Sequence, residues 1–124
     1  MKKIILDTNF LLIPAQFHVD IFSEIQRIVD FPYQLCVLDK TLDELKKIIA
    51  QQPGQHKAAA KLALALLENK KVKILKTISP LYVDDLLVEY SHAGSIIATQ
   101  DILLKKRLKK PYIFLRQKKK LILT

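Results

Sequence analysis

Ile4-Ile5-Leu6-Asp7-Thr8-Asn9-Phe10 decides the fold: a short run apolar at every position breaks off into Asp-Thr-Asn. A strand with one wet face alternates apolar and polar residues, whereas a run apolar on both faces belongs to a sheet covered on both sides. Ile96-Ile97-Ala98, running into Thr99-Gln100-Asp101, repeats the pattern near the other end of the chain. Outward from these two runs, strands are expected at 34–38, 72–75 and 112–115. A last strand at 121–123 pairs back on 112–115 through a turn near Gln117-Lys118.

Helical spacing fills the gaps. Val19, Phe22, Ile25, Ile28 and Val29 share one face of a helix expected over 18–29. Leu42, Leu45, Ile48 and Ile49 continue as a helix ended by Gln52-Pro53-Gly54, and the alanine- and leucine-rich 55–69 form another. Ser79-Pro80 reads as an N-cap followed by proline in the first turn, opening a helix that ends near Gly94. A basic helix follows over 101–108. Strand, helix, strand, helix implies an α/β domain with a mainly parallel central sheet and helices on both faces.

At 124 residues the chain is one domain's worth, 1–124, able to bury roughly two-thirds of its unfolded surface. Half of the residues are hydrophobic, which excludes a disordered chain. No apolar run approaches the roughly 18 residues that span a bilayer, and Asp7 ends the opening run too early for a signal peptide. Cys36 is the lone cysteine, so no internal disulfide forms; a reducing, cytoplasmic setting fits, with Cys36 a small core residue.

The net charge of +9 is unevenly placed. All acidic residues lie at or before Asp101, where an equal number of Lys and Arg balances them. The surplus therefore sits in 102–124: Lys105, Lys106, Arg107, Lys109, Lys110, Arg116, Lys118, Lys119 and Lys120. A neutral body with a basic end points to a polyanionic partner, nucleic acid first, against the plainer reading of a solubilising surface.

In an open parallel sheet, ligands bind beyond the carboxyl ends of the strands. Asp7 sits there, Asp101 sits just past a later strand, and Glu44, Asp84 and Asp85 lie near the starts of helices that begin at the same edge. Taken singly, each has an ordinary alternative: a turn residue at Asp7, a solvated helix residue at Glu44, a helix-dipole partner at Asp84 and Asp85, a cap at Asp101. Gathered at one edge they repel, and an oxygen-only set without Cys or His suits Mg²⁺ or Mn²⁺. His18, His56 and His92 share no ligand spacing, which argues against zinc.

These motifs resemble those of the PIN domain, a metal-dependent ribonuclease fold of three layers, α/β/α, and the resemblance covers nearly the whole chain. Ile5-Leu6-Asp7-Thr8-Asn9-Phe10 is similar to the family's first acidic motif, Leu42-Asp43-Glu44-Leu45 to the second, Asp84-Asp85-Leu86-Leu87-Val88 to the third and Ile97-Ala98-Thr99-Gln100-Asp101 to the last. The resemblance implies that Asp7, Glu44, Asp84 and Asp101 bind Mg²⁺ or Mn²⁺ and carry catalysis, with Asn9, Thr99 and Asp85 in support. The resemblance prefers Asp84 over Asp85 as the metal-facing acid, because its distance to Asp101 fits the family better; adjacent helix residues point about 100° apart and do not do the same job.

Asp-Thr-Asn-Phe, Asp-Asp before Leu-Leu-Val, and Ala-Thr-Gln-Asp with Leu-Lys-Lys-Arg resemble one branch, the small-subunit processome nuclease of eukaryotes and its archaeal relatives. That branch implies an endoribonuclease acting on precursor ribosomal RNA. Lys105, Lys106, Arg107, Lys109, Lys110 and Arg116 are the expected RNA contacts, and a homodimer or pre-ribosomal proteins are the expected protein partners. Two alternatives stand beside it: a toxin-type PIN ribonuclease of a toxin–antitoxin pair, and a non-catalytic RNA-binding scaffold in ribosome assembly.

Overall fold

The computed structural model describes residues 1–124. The strands are β1 (Lys2–Leu6), β2 (Tyr33–Leu38), β3 (Lys73–Leu75), β4 (Ile96–Ala98), β5 (Ile113–Arg116) and β6 (Lys120–Leu123). The helices are α1 (Thr8–Leu11), α2 (Ile13–Phe17), α3 (Ile21–Ile28), α4 (Asp39–Gln51), α5 (Gly54–Asn69), α6 (Val83–His92) and α7 (Ile102–Arg107). One sheet holds all six strands in the order β3-β2-β1-β4-β5-β6. Every pairing is parallel except β5 with β6, a hairpin turned by Gln117 and Lys118, both at positive φ.

The apolar runs behave as expected of central strands. Ile4, Ile5 and Leu6 are fully buried, as are Ile97 and Ala98, with Ile96 nearly so. Alternate side chains serve two cores. Ile4, Leu6, Ile96, Ala98 and Ile113 pack with Phe10, Ile25, Leu45 and Ala60 on one face. Ile5, Cys36, Leu38 and Ile97 pack with Leu86, Leu87 and Leu104 on the other. The result is three layers, with α1 to α5 on one side of the sheet and α6 and α7 on the opposite side. Small residues Ala59, Ala60 and Ala63 turn the buried face of α5 toward the core, which lets that helix sit close. No helix is long and apolar enough to cross a membrane.

Three local features differ from the sequence reading. The helix expected over 18–29 starts at Ile21, because Asp20 caps it by accepting from Phe22 N and Ser23 N at 3.1 and 3.2 Å while His18 turns into the left-handed region at φ 56. Ser79 does not cap α6: its hydroxyl accepts from Leu81 N at 3.1 Å in a local turn, and the helix begins later, at Val83. Short α1 and α2 occupy 8–17, where each is too brief to show a period. The outer edge of β6 is covered rather than left open: Glu24 accepts from Leu121 N and Arg27 donates to Leu121 O.

The topology fixes where a site can lie. From β1 the chain steps to β2 and β3 on one side, then crosses to β4, β5 and β6 on the other. β1 and β4 are therefore neighbours at a switch point, and the loops leaving their carboxyl ends diverge and open a crevice. Asp7 leaves β1 there, and Thr99 to Asp101 leave β4.

Candidate active site at the sheet switch point

Asp7 forms the floor. Its side chain is 6% exposed, and as N-cap of α1 its Oδ1 accepts from Thr8 N at 2.8 Å. Its other oxygen accepts from Thr99 Oγ1 at 2.7 Å. Thr99 Oγ1 in turn accepts from Asp101 N at 3.1 Å, and Asn9 Oδ1 accepts from Gln100 N at 3.0 Å. The ends of β1 and β4 are thus tied together by side chains of the two acidic motifs themselves. Asp101 caps α7, accepting from Leu104 N at 3.1 Å, so its ordinary helix-cap role and its place at the crevice coexist.

Glu44 from α4 and Asp84 from α6 complete the rim. A depression of about 270 Å³ is lined by Asp7, Thr8, Asn9, Leu12, Glu44, Val83, Asp84 and Asp101. Four carboxylates from four separate segments therefore share one opening. Asp85 is not among the residues that line this depression; it pairs with Arg107 at 2.6 Å beside it. His18, His56 and His92 line none of this opening.

The charges feel one another. Burial raises the Asp7 carboxyl above its ordinary range; Thr99 and Thr8 oppose this by hydrogen bonding, and Asp84 and Asp101 add repulsion. Glu44 is raised by loss of water around its carboxyl and then by Asp7, although its side chain as a whole is solvent-exposed. Asp84 is raised by partial burial and then by Asp101, with Arg107 acting in the opposite sense. Such a group of acids favours a cation among them.

One further atom bears on which cation. Thr8 Oγ1 is buried with no hydrogen-bond partner, although the hydroxyl lies close enough to Glu44 to favour its ionised form. No three of the acids converge on a single point at ligand spacing. An all-oxygen donor set suits a hard cation, and Mg²⁺ keeps several waters and takes only one or two carboxylates directly. The residues present fit Mg²⁺ or Mn²⁺.

Three features of the site carry no mark in the sequence. Thr8 is an ordinary threonine until its burial is known. The Gln100 side chain extends the sheet beyond β4, with Oε1 accepting from Leu115 N at 2.6 Å and Nε2 donating to Leu115 O at 3.4 Å. The basic end is also not one patch. Lys105 lies over the Phe114 ring at 4.6 Å and Arg116 lies at 5.9 Å from the same ring, whereas Lys118 sits over Phe17. Arg107, nearest the acids, has part of its charge engaged by Asp85.

Doubly wound topology, a switch-point crevice and clustered acids define a class of α/β domains, and the comparisons narrow it. The PIN-like domain family matches residues 4–118. This chain belongs to that family, whose members are typically nucleases. It is 31% identical over 126 residues to Ribonuclease VapC4 of Methanocaldococcus jannaschii, covering 96% of this chain and 94% of that protein. Among solved structures, the PIN domain endonuclease Utp24 superposes with a TM-score of 0.77 at 24% identity, over 98% of this chain and 90% of the other. A domain of a functionally unknown protein from Methanocaldococcus jannaschii superposes at 0.59 with 17% identity, over 94% and 92%.

Proposed function

We propose that this protein is an Mg²⁺- or Mn²⁺-dependent endoribonuclease acting in precursor ribosomal RNA processing. The observation that carries the enzymatic part is the gathering of Asp7, Glu44, Asp84 and Asp101 in one crevice at the switch point of the sheet. Family membership and the relative named as a ribonuclease support the same chemistry.

Asp7, Glu44, Asp84 and Asp101 would hold the ion. When bound, it would neutralise charge on the phosphodiester in the transition state and make water a better nucleophile. The chain's own residues do the rest. Thr99 Oγ1 and Thr8 N hold the Asp7 carboxylate in one orientation. Asn9 fixes the backbone at Gln100, so the segment carrying Asp101 keeps its position relative to β1. Asp85 restrains Arg107 beside Asp84. Lys105, Lys106, Arg107, Lys109, Lys110 and Arg116 supply the positive surface for an RNA backbone, which is bound mainly through its phosphates.

The role in ribosomal RNA processing rests on the motif set Asp7-Thr8-Asn9-Phe10, Asp84-Asp85 and Ala98-Thr99-Gln100-Asp101 with Leu104-Lys105-Lys106-Arg107. A second reading, a toxin-type PIN ribonuclease, is favoured by the 31% identity to Ribonuclease VapC4. Cleavage of a precursor ribosomal RNA fragment and of an unstructured RNA, with Mn²⁺ or with EDTA, in wild type and Asp7→Asn, tests both. Metal-dependent cutting of the precursor at a defined site, lost in Asp7→Asn, supports the first reading. Preference for the unstructured RNA moves the assignment to the second. Tight binding without cutting of either RNA favours a scaffold.

A further inference from the structure

Tyr82 is out of place as a structural residue. It is 84% exposed, whereas the other three tyrosines are partly buried. An exposed phenol ring in this position adds little to the core, and its backbone alone supports α6, Tyr82 O accepting from Leu86 N at 3.0 Å.

Its surroundings are specific. A second depression, lined by Glu44, Tyr82, Val83, Asp84, Asp85 and Arg107, shares Glu44, Val83 and Asp84 with the acidic crevice and so continues it outward. Along this extension the surface changes from carboxylates to an aromatic ring and a guanidinium. The loop that carries Tyr82 is also held in place. Asp39, the first residue of α4, accepts from Thr77 N at 3.0 Å and from Thr77 Oγ1 at 2.6 Å. The adjacent Lys40 donates through Nζ to Ser79 O at 2.9 Å and to Leu81 O at 2.7 Å. These four bonds strap residues 77–81 to the end of β2, the same strand end that sends α4 and Glu44 to the crevice.

We propose that Tyr82 is a stacking platform for an unpaired nucleobase next to the scissile phosphodiester, presented at a set distance from the acids by the Asp39–Lys40 strap, with Arg107 beside it. The proposal rests on the ribonuclease reading and adds to it a residue that sets where along the strand the acids act. An aromatic face takes any base, so the platform sets position along the strand rather than sequence. A phosphate-gripping surface alone would not distinguish a strand with bases from one without them.

The protein contains no tryptophan, which makes the test direct. Tyr82→Trp, in an Asp7→Asn background that prevents cutting, places a single indole at the site. It is titrated in Mg²⁺ with a short single-stranded oligoribonucleotide and with the same oligomer made abasic. The expected result is a change of indole emission with the base-bearing strand only. In the same background, Tyr82→Ala loses roughly 5- to 100-fold in affinity for the base-bearing strand and nothing for the abasic one. Lys40→Met, which releases part of the strap, reduces the preference for the base-bearing strand in the same direction. Unchanged emission with RNA bound, and equal affinity in Tyr82→Ala, would overturn the platform while leaving the ribonuclease reading intact and Tyr82 open as a protein contact. Failure of either strand to bind any variant, wild type included, would remove the platform and the nucleic-acid reading together.

Discussion

Thr99 Oγ1 donates to Asp7 Oδ2 at 2.7 Å, joining two strand ends that are 92 residues apart in the chain. This bond makes the floor of the crevice a product of the β1–β4 pairing, and it partly offsets the burial that raises the Asp7 carboxyl. Its removal gives the first prediction. Thr99→Val keeps the shape and removes the donor, so Asp7 is held less firmly and its pKa rises further. Cleavage falls about 10- to 100-fold, the loss typical of removing a partner that orients a metal-binding group, and the acid limb of the pH–rate profile moves to higher pH. Thr99→Ser restores both. A variant with wild-type rate and profile would show that the bond has no part in the site.

The raised acids make a stability prediction whose sign can be worked out. Asp7 binds its proton more tightly folded than unfolded, so its contribution favours the folded state at low pH. That contribution is lost as pH rises from the ordinary carboxylate range through the raised value. Asp7→Asn carries no charge and escapes the loss, so the metal-free variant melts at or above wild type near neutral pH. The difference narrows toward acid. Asp20, Glu24 and Asp39, whose pKa values are lowered, act in the opposite sense and cancel in the comparison. Melting curves of both proteins from acid to neutral pH check this; a variant that becomes relatively weaker as pH rises would contradict it.

Metal addition should reverse that order. A cation that binds only the folded protein raises its stability by mass action. Mg²⁺ or Mn²⁺ therefore raises the melting temperature of wild type more than that of Asp7→Asn or Asp101→Asn, and cleavage is lost in both variants. EDTA returns wild type to its metal-free value. Equal shifts in all three proteins would show that the ion binds elsewhere.

Gln100 stands in for a strand residue where β4 has ended. Gln100→Ala leaves Leu115 N without its acceptor, at a cost of about 1–3 kcal/mol for a donor kept from water. Denaturant unfolding measures the loss. Cleavage drops with it, because Thr99 and Asp101 flank the loosened residue.

Reversal of Lys105, Lys106 and Arg107 to Glu should weaken RNA binding and flatten its salt dependence. The slope falls by about 0.7 for each phosphate of a single strand that is no longer neutralised. Arg107 also pairs with Asp85, but both partners are largely solvated, so breaking the pair itself changes stability little. An unaltered salt slope would mean that the basic end only solubilises the protein.

Much of this fold was legible because its signals are local. Ile4-Ile5-Leu6 and Ile96-Ile97-Ala98 announce strands buried on both faces, and both lie at the centre of the sheet. The hairpin turn at Gln117-Lys118 was equally readable. The start of α6 is not legible, because Ser79 satisfies a nearby backbone amide in a turn as readily as it caps a helix, and nothing local chooses between the two.

The sequence by itself determined the alternation of strands and helices, the acids that close two of the central runs, and the segregation of positive charge after Asp101. Periodicity, strand ends and composition are properties of neighbours along the chain. Only the tertiary structure decided that Asp7, Glu44, Asp84 and Asp101 share one opening, because that follows from β1 and β4 lying side by side at the switch point. It also placed Asp84 rather than Asp85 at the opening, since the turn of α6 points the second acid to Arg107. Thr8 and Tyr82 acquired meaning only there, one by being buried without a partner and the other by being exposed beside the acids. Burial and proximity between distant segments are set by packing, and no single stretch of chain contains them.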